Sequence, residues 1–153
     1  MSSKQPQDFG VLLNLAFGAF KARLHAHLSA KGFDDLGPSF GYVFRILADG
    51  PSSLREIAEQ LDMSAPGALK IVDDMVAKSY VQRSADAQDG RIKRLTLTAR
   101  ATKAMAHAAA FHAQFEHEVS ARVGEKRSAA ARAVLEDIVA FGQQGEAIRL
   151  RPL

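Results

Sequence analysis

Ser53-Leu54-Arg55-Glu56-Ile57-Ala58-Glu59-Gln60-Leu61-Asp62-Met63-Ser64-Ala65-Pro66-Gly67-Ala68-Leu69-Lys70-Ile71-Val72-Asp73-Asp74-Met75 decides how the chain folds. Ser53 followed three residues later by Glu56 is a capping box, which places a helix start at Leu54. Leu54, Ile57, Ala58 and Leu61 then fall at i, i+3, i+4 and i+7, one apolar helical face. Asp62-Met63 leaves almost no room for a loop. Ser64 can cap a second helix, and Pro66 is tolerated in its first turn, where a missing N–H costs little. Ala68, Ile71, Val72 and Met75 repeat the same spacing. Two short amphipathic helices joined so tightly are the sequence form of a helix-turn-helix.

Downstream, Tyr80-Val81-Gln82-Arg83 and Ile92-Lys93-Arg94-Leu95-Thr96-Leu97 flank the polar stretch 84–90, which contains Gly90. They read as a β-hairpin whose loop ends in a cluster of cations. Thr98 then caps a long alanine-rich helix to about Val123, with Met105, Ala108, Phe111, Phe115 and Val119 on one face. Such a helix spans roughly 37 Å, more than a compact core of this size requires. After Gly124 a last helix runs from about Lys126 to Phe141, with Val134, Leu135, Ile138 and Val139 apolar. Upstream, Phe9 to Ala30 is helical, with Leu13, Phe17, Phe20 and Leu24 at helical spacing and further apolar residues around them. Lys31-Gly32 stops it, and a short helix from about Ser39 to Ala48 ends at Asp49-Gly50-Pro51. The expected fold is mainly α with a small β-hairpin wing: a winged helix-turn-helix of about 36–99, flanked by helices at 9–31 and 100–145, within a single domain of 1–153.

The bulk properties narrow the function. The 153 residues contain no cysteine, which excludes disulfides, thiolate metal sites and cysteine-based peroxide sensing. No apolar run reaches the length of a membrane span, and the polar N-terminus lacks a secretory core, so a cytoplasmic protein without a membrane partner is expected. A net charge of +3 is compatible with nucleic acid, but the placement of the cations carries more information than their sum. There is no Gly-rich phosphate loop after a strand, no GxSxG and no cysteine nucleophile, so no enzyme is expected and no cofactor.

A helix-turn-helix lays its second helix in the major groove, N-terminal end towards the bases. First-turn N–H groups there suit phosphate, Gly67 permits close backbone approach, and Lys70 is the long cation near the groove. The stretch from Leu54 to Arg100 resembles the MarR family of bacterial regulators. It does so through 54–61, Ile71-Val72-Asp73-Asp74-Met75-Val76 and above all Asp89-Gly90-Arg91-Ile92-Lys93-Arg94-Leu95-Thr96-Leu97-Thr98. The resemblance implies that Arg91 enters the minor groove and Asp89 steadies it. It also implies that the first and last helices form a homodimer interface, and that the protein represses transcription from a pseudo-palindromic site in double-stranded DNA. The candidate DNA-binding residues are Ser53, Arg55, Ser64, Gly67, Lys70, Asp89, Arg91, Lys93 and Arg94. Strand alternation puts Lys93 and Arg94 on opposite faces.

Two departures from the family pattern stand out. Ala65-Pro66-Gly67 replaces the polar residues frequent at the start of the recognition helix, and Asp74 sits where a basic residue is frequent. They support a rival reading, a MarR-like protein that has lost DNA binding and acts through protein contacts. Members of the family often accept small aromatic or phenolic effectors, so such an effector is an expected partner, with its binding residues unassigned. His25, His27, His107, His112 and His117 raise the idea of a metal sensor. The last three are spaced by five, about 140° apart around a helix, and no His-x-x-x-His pair occurs, so no metal site is expected.

Overall fold

The computed structural model describes residues 8–142. The N-terminal stretch 1–7 and the end of the 100–145 segment lie outside the described residues. By contact the chain divides into two compact units, Met1–Asp34 and Asp35–Leu153.

The first unit is built on α1 (Phe9–Ala30), the expected helix. Its end is a Schellman motif: the Phe33 N–H donates to the Leu28 carbonyl and the Gly32 N–H to that of Ser29, both at 3.0 Å. Gly32 takes φ +88, the left-handed conformation this ending requires. Only Leu28 is buried along α1, while Phe9, Val11, Leu12, Leu15 and Phe17 all stand exposed.

The second unit contains α2 (Phe40–Ala48), β1 (Ser52–Ser53), α3 (Leu54–Gln60), α4 (Ala65–Ala77), β2 (Val81–Ala85), β3 (Lys93–Leu97), α5 (Ala99–Val123) and α6 (Glu125–Gly142). The expected hairpin is one part of a three-stranded antiparallel sheet of order β1-β3-β2. Ser52 pairs with Leu95 on one side of β3, and Val81 through Ala85 pair with Leu97 through Lys93 on the other. The sequence reading missed β1, because two serines before a helix cap carry no strand signal of their own. It also ended the first strand at Arg83, although pairing continues through Ala85.

The two amphipathic faces meet in the core. Ile57 and Ala58 of α3 and Leu61 at its C-cap are buried, as are Ala68, Val72 and Met75 of α4 and Val43 and Leu47 of α2. Tyr80 lies fully buried, edge-on to Phe40 and Phe44 with each ring centroid 5.7 Å away.

The short turn between α3 and α4 has a specific cause. Met63 N–H donates to the Ala58 carbonyl at 3.0 Å and Asp62 N–H to Glu59 at 3.2 Å, with Asp62 at φ +51. That is the Schellman ending again, with aspartate in the left-handed position usually held by glycine. The end of α4 repeats it: Tyr80 N–H to Met75 at 2.8 Å, Ser79 N–H to Val76 at 3.0 Å, and Ser79 at φ +62. In this second case the flanking pair, Met75 and Tyr80, is fully buried, so the helix stop and the core fix each other.

Candidate nucleic-acid interface

Ser53 caps α3 as expected. Its hydroxyl accepts the Glu56 N–H at 3.2 Å, and Glu56 accepts the Ser53 N–H at 2.7 Å. Arg55 projects into solvent and pairs with Glu59 at 2.9 Å across the helix surface. An ion pair this exposed is weak enough for Arg55 to exchange its partner for a phosphate.

At the start of α4, the Ser64 hydroxyl accepts the Gly67 N–H at 3.2 Å. Pro66 has no N–H, and the Ala68 N–H is already bonded to the Ser64 carbonyl. The Ala65 N–H is what remains of the first turn. The helix start therefore offers a phosphate far fewer donors than the expectation supposed. Gly67 also has a reason internal to the fold. A Cβ there would lie 3.1 Å from both the Met63 methyl and the Ser64 hydroxyl.

Pro66, Leu69, Lys70 and Asp73 form the exposed face of α4, opposite the buried Ala68, Val72 and Met75. Asp73 is ion-paired with Arg83 of β2, and Asp74 with Lys78 at 2.9 Å. The two acidic residues are thus neutralised from within the protein. Among the described residues, the Lys70 ammonium has no ion-pair partner.

The wing loop, residues 86–92, is organised by a residue the sequence reading passed over. One Asp86 carboxylate oxygen accepts the N–H groups of Gln88 at 2.8 Å and Asp89 at 3.0 Å. The other accepts from Arg94 Nε at 2.6 Å. The Arg94 guanidinium, followed by those two backbone N–H groups, holds the Asp86 carboxyl down at about 2. Arg94 also donates to Glu56 at 2.9 Å, the same carboxylate that closes the α3 capping box. The Ser53 N–H and then Arg94 keep that carboxyl below its ordinary value. Arg94 thereby fixes the wing to the start of α3.

Asp89 accepts the backbone N–H of Arg91 at 3.0 Å, so it shapes the turn beneath Arg91 and leaves the guanidinium alone. Arg91 and Lys93 are exposed, and neither has a side-chain partner among the described residues. An Asp-x-Arg wing, held by its own carboxylates and following a helix-turn-helix, is now explicit. Residues 35–92 match the model of the MarR family. The match covers the helix-turn-helix and the wing loop, less than half of the chain.

Solved structures agree along most of the chain. The transcriptional regulator PA3341 is 27% identical, with a TM-score of 0.62 over 90% of this chain and 99% of its own. YusO from Bacillus subtilis is 17% identical, with a TM-score of 0.69 over 87% of this chain and 93% of its own. A MepR variant from S. aureus, bound to an oligodeoxyribonucleotide, is 20% identical with a TM-score of 0.60, over 90% of this chain and 100% of its own. No curated protein matches the sequence.

Behind the wing lies a second network invisible to motif reading. Asp35 accepts from the Tyr80 hydroxyl at 2.5 Å and from Arg100 at 3.0 and 3.1 Å, and the Arg100 guanidinium lies 4.7 Å from the Tyr80 ring centroid. Burial and then the Asp35 carboxylate push the Tyr80 phenol up to about 12. Burial alone would raise the Asp35 carboxyl, but the Tyr80 hydroxyl and Arg100 outweigh it, and the group sits below its ordinary value. Thr98 completes the join. Its N–H donates to the Tyr80 carbonyl at 3.1 Å, and its hydroxyl donates to the Ser79 carbonyl at 2.6 Å. The start of α5 is thus tied to the stop of α4. Among the described residues no three histidines or carboxylates gather as a metal site, and no helix is long and apolar enough to cross a membrane.

Proposed function

We propose that the chain is a DNA-binding transcription regulator, acting in the cytoplasm as a homodimeric repressor on a pseudo-palindromic site. The observation that carries this reading is the cation placement. Lys70 on the exposed face of α4 and Arg91 and Lys93 on the wing have no protein partners among the described residues, whereas neighbouring cations are committed to carboxylates. α4 would enter the major groove and Arg91 the adjacent minor groove, where narrow A·T-rich segments concentrate negative potential. The DNA-bound MepR structure supports this placement by fold likeness.

The homodimer reading rests on apolar exposure. Phe9, Leu12 and Leu15 of α1 and Val134, Leu135, Val139 and Phe141 of α6 each stand 47% exposed or more, which suits a covering partner. A second copy is the partner the family plan supplies. A small aromatic acid or phenol would relieve repression by favouring a spacing of recognition helices that fits DNA poorly.

Selection of bound sequences from random duplex DNA with the purified protein tests the whole reading. A two-fold symmetric site with half-sites about 10 bp apart is expected. Ala65-Pro66-Gly67 keeps the rival reading of action through protein contacts in play, and failure to enrich any duplex would favour it.

A further inference from the structure

We infer that the α4 face recognises thymine through its C5-methyl groups, so that thymines at the α4-facing positions of each half-site specify the operator. This deepens the proposed DNA-binding function and rests on it. Direct readout by hydrogen bonds requires side-chain donors or acceptors free to meet base edges. On the exposed face of α4 few remain besides the Lys70 ammonium. The Ser64 oxygen accepts the cap bond and keeps only its O–H to donate, Asp73 is paired with Arg83, and Asp74 with Lys78. Ala65, Pro66 and Gly67 bring no polar side chain to the first turn.

What the face presents instead is apolar. Leu69 is 41% exposed in a helix whose other large apolar residues, Ile71, Val72, Met75 and Val76, are buried or half-buried. Pro66 stands one turn before it, with Ala65 beside Pro66, and all three are exposed. An apolar strip of this kind, continuous with the Lys70 position and placed where a winged helix-turn-helix meets the major groove, has one apolar counterpart on DNA. That counterpart is the thymine methyl, which the major groove alone displays. Lys70, at the next position, supplies charge without a demand for a particular base if it holds phosphate.

Replacing thymine by deoxyuridine removes this methyl and leaves the Watson–Crick edge and the charge untouched. Duplexes carrying a selected site would be titrated with wild-type protein, with deoxyuridine placed at one thymine at a time. Loss of one buried methyl predicts about a fourfold weakening at each contacted thymine. The effect should concentrate at two or three positions of each half-site. In Leu69→Ala the same replacements should weaken binding by less than about twofold, while Arg91→Ala should retain the full discrimination. Leu69 is exposed, so thermal unfolding of Leu69→Ala should match wild type, separating recognition from folding.

Equal affinity for thymine and deoxyuridine duplexes at every position would overturn the inference and leave the DNA-binding reading standing. Discrimination that survives intact in Leu69→Ala would overturn it as well, by placing the methyl contact elsewhere. Absence of binding to any duplex would overturn both readings together.

Discussion

Replacing Arg91 by alanine separates DNA contact from structure more cleanly than any other substitution in the wing. The bond that shapes the turn runs from the Arg91 backbone N–H to Asp89, and alanine keeps it. The guanidinium has no partner to lose among the described residues, so unfolding free energy should stay within about 0.5 kcal/mol of wild type. Affinity should fall by about 1–3 kcal/mol for each wing on DNA. The two wings of a dimer are far apart and add, giving about 2–6 kcal/mol for the complex. Each cation withdrawn also removes about 0.9 from the slope of log affinity against log salt, or about 1.8 for a dimer. Fluorescence-anisotropy titrations at several salt concentrations give both quantities. Asp89→Ala is the internal control: it frees the turn without removing a cation, so affinity should drop modestly at an unchanged slope. If Arg91→Ala retained wild-type affinity and slope, the minor-groove assignment would be wrong and the protein-contact reading would gain.

Asp86→Asn should lower the melting temperature and weaken DNA binding without altering the salt slope, because it loosens the hold on Arg94 and the wing loop together. The pH dependence follows from the sign of the shift. A carboxyl depressed to about 2 contributes stability that is present above its unfolded value near 4 and is lost as pH falls from about 4 towards 2. Acid-unfolding curves of wild type and Asp86→Asn should therefore converge over that interval, and a gap that persists undiminished at pH 2 would contradict it. Tyr80→Phe removes one hydrogen bond to a carboxylate and keeps the ring, so urea unfolding should show a loss of about 1–2 kcal/mol, with α4 still helical by circular dichroism. Leu15→Glu or Leu135→Glu should shift a micromolar sample from dimer to monomer in sedimentation velocity, since each places a charge on an exposed apolar face. A wild type that is already monomeric would refute the homodimer. A panel of small aromatic acids and phenols should contain a compound that weakens operator binding and raises the melting temperature of the free protein, and a panel with neither effect would remove the effector.

The helices were legible because their signals are local. Ser53, Ser64 and Thr98 each sit where a hydroxyl can accept an N–H two or three residues on, and the apolar residues of α3, α4 and α5 recur at the period of the helix they build. Asp86 was not legible. It lies in a polar loop where any residue could be solvated, and its role depends on Arg94 pairing back across the hairpin and on Glu56, far away in sequence. The same holds for Asp35, which meets Tyr80 and Arg100 only through the tertiary fold. β1 was missed for the same reason, since Ser52 and Ser53 become a strand only because β3 runs beside them.

Charge shows why these distant pairings matter for function. In the Arg-Lys cluster at 91–94, strand alternation puts Lys93 and Arg94 on opposite faces. The structure divides that cluster. Arg94 is held inward by Asp86 and Glu56, and Arg83 is held across to α4 by Asp73, while Arg91 and Lys93 face outward. The inward pair ties the wing to the helix-turn-helix, so the outward pair would meet DNA from a fixed base with little to reorganise on binding. The Arg83–Asp73 pair also takes from α4 a carboxylate that a phosphate backbone would repel. In the proposed DNA complex, neutralising Asp73 in this way would let an α4 face poor in donors approach the major groove. On this reading the wing and Lys70 would supply attraction, and the apolar strip at Pro66 and Leu69 preference.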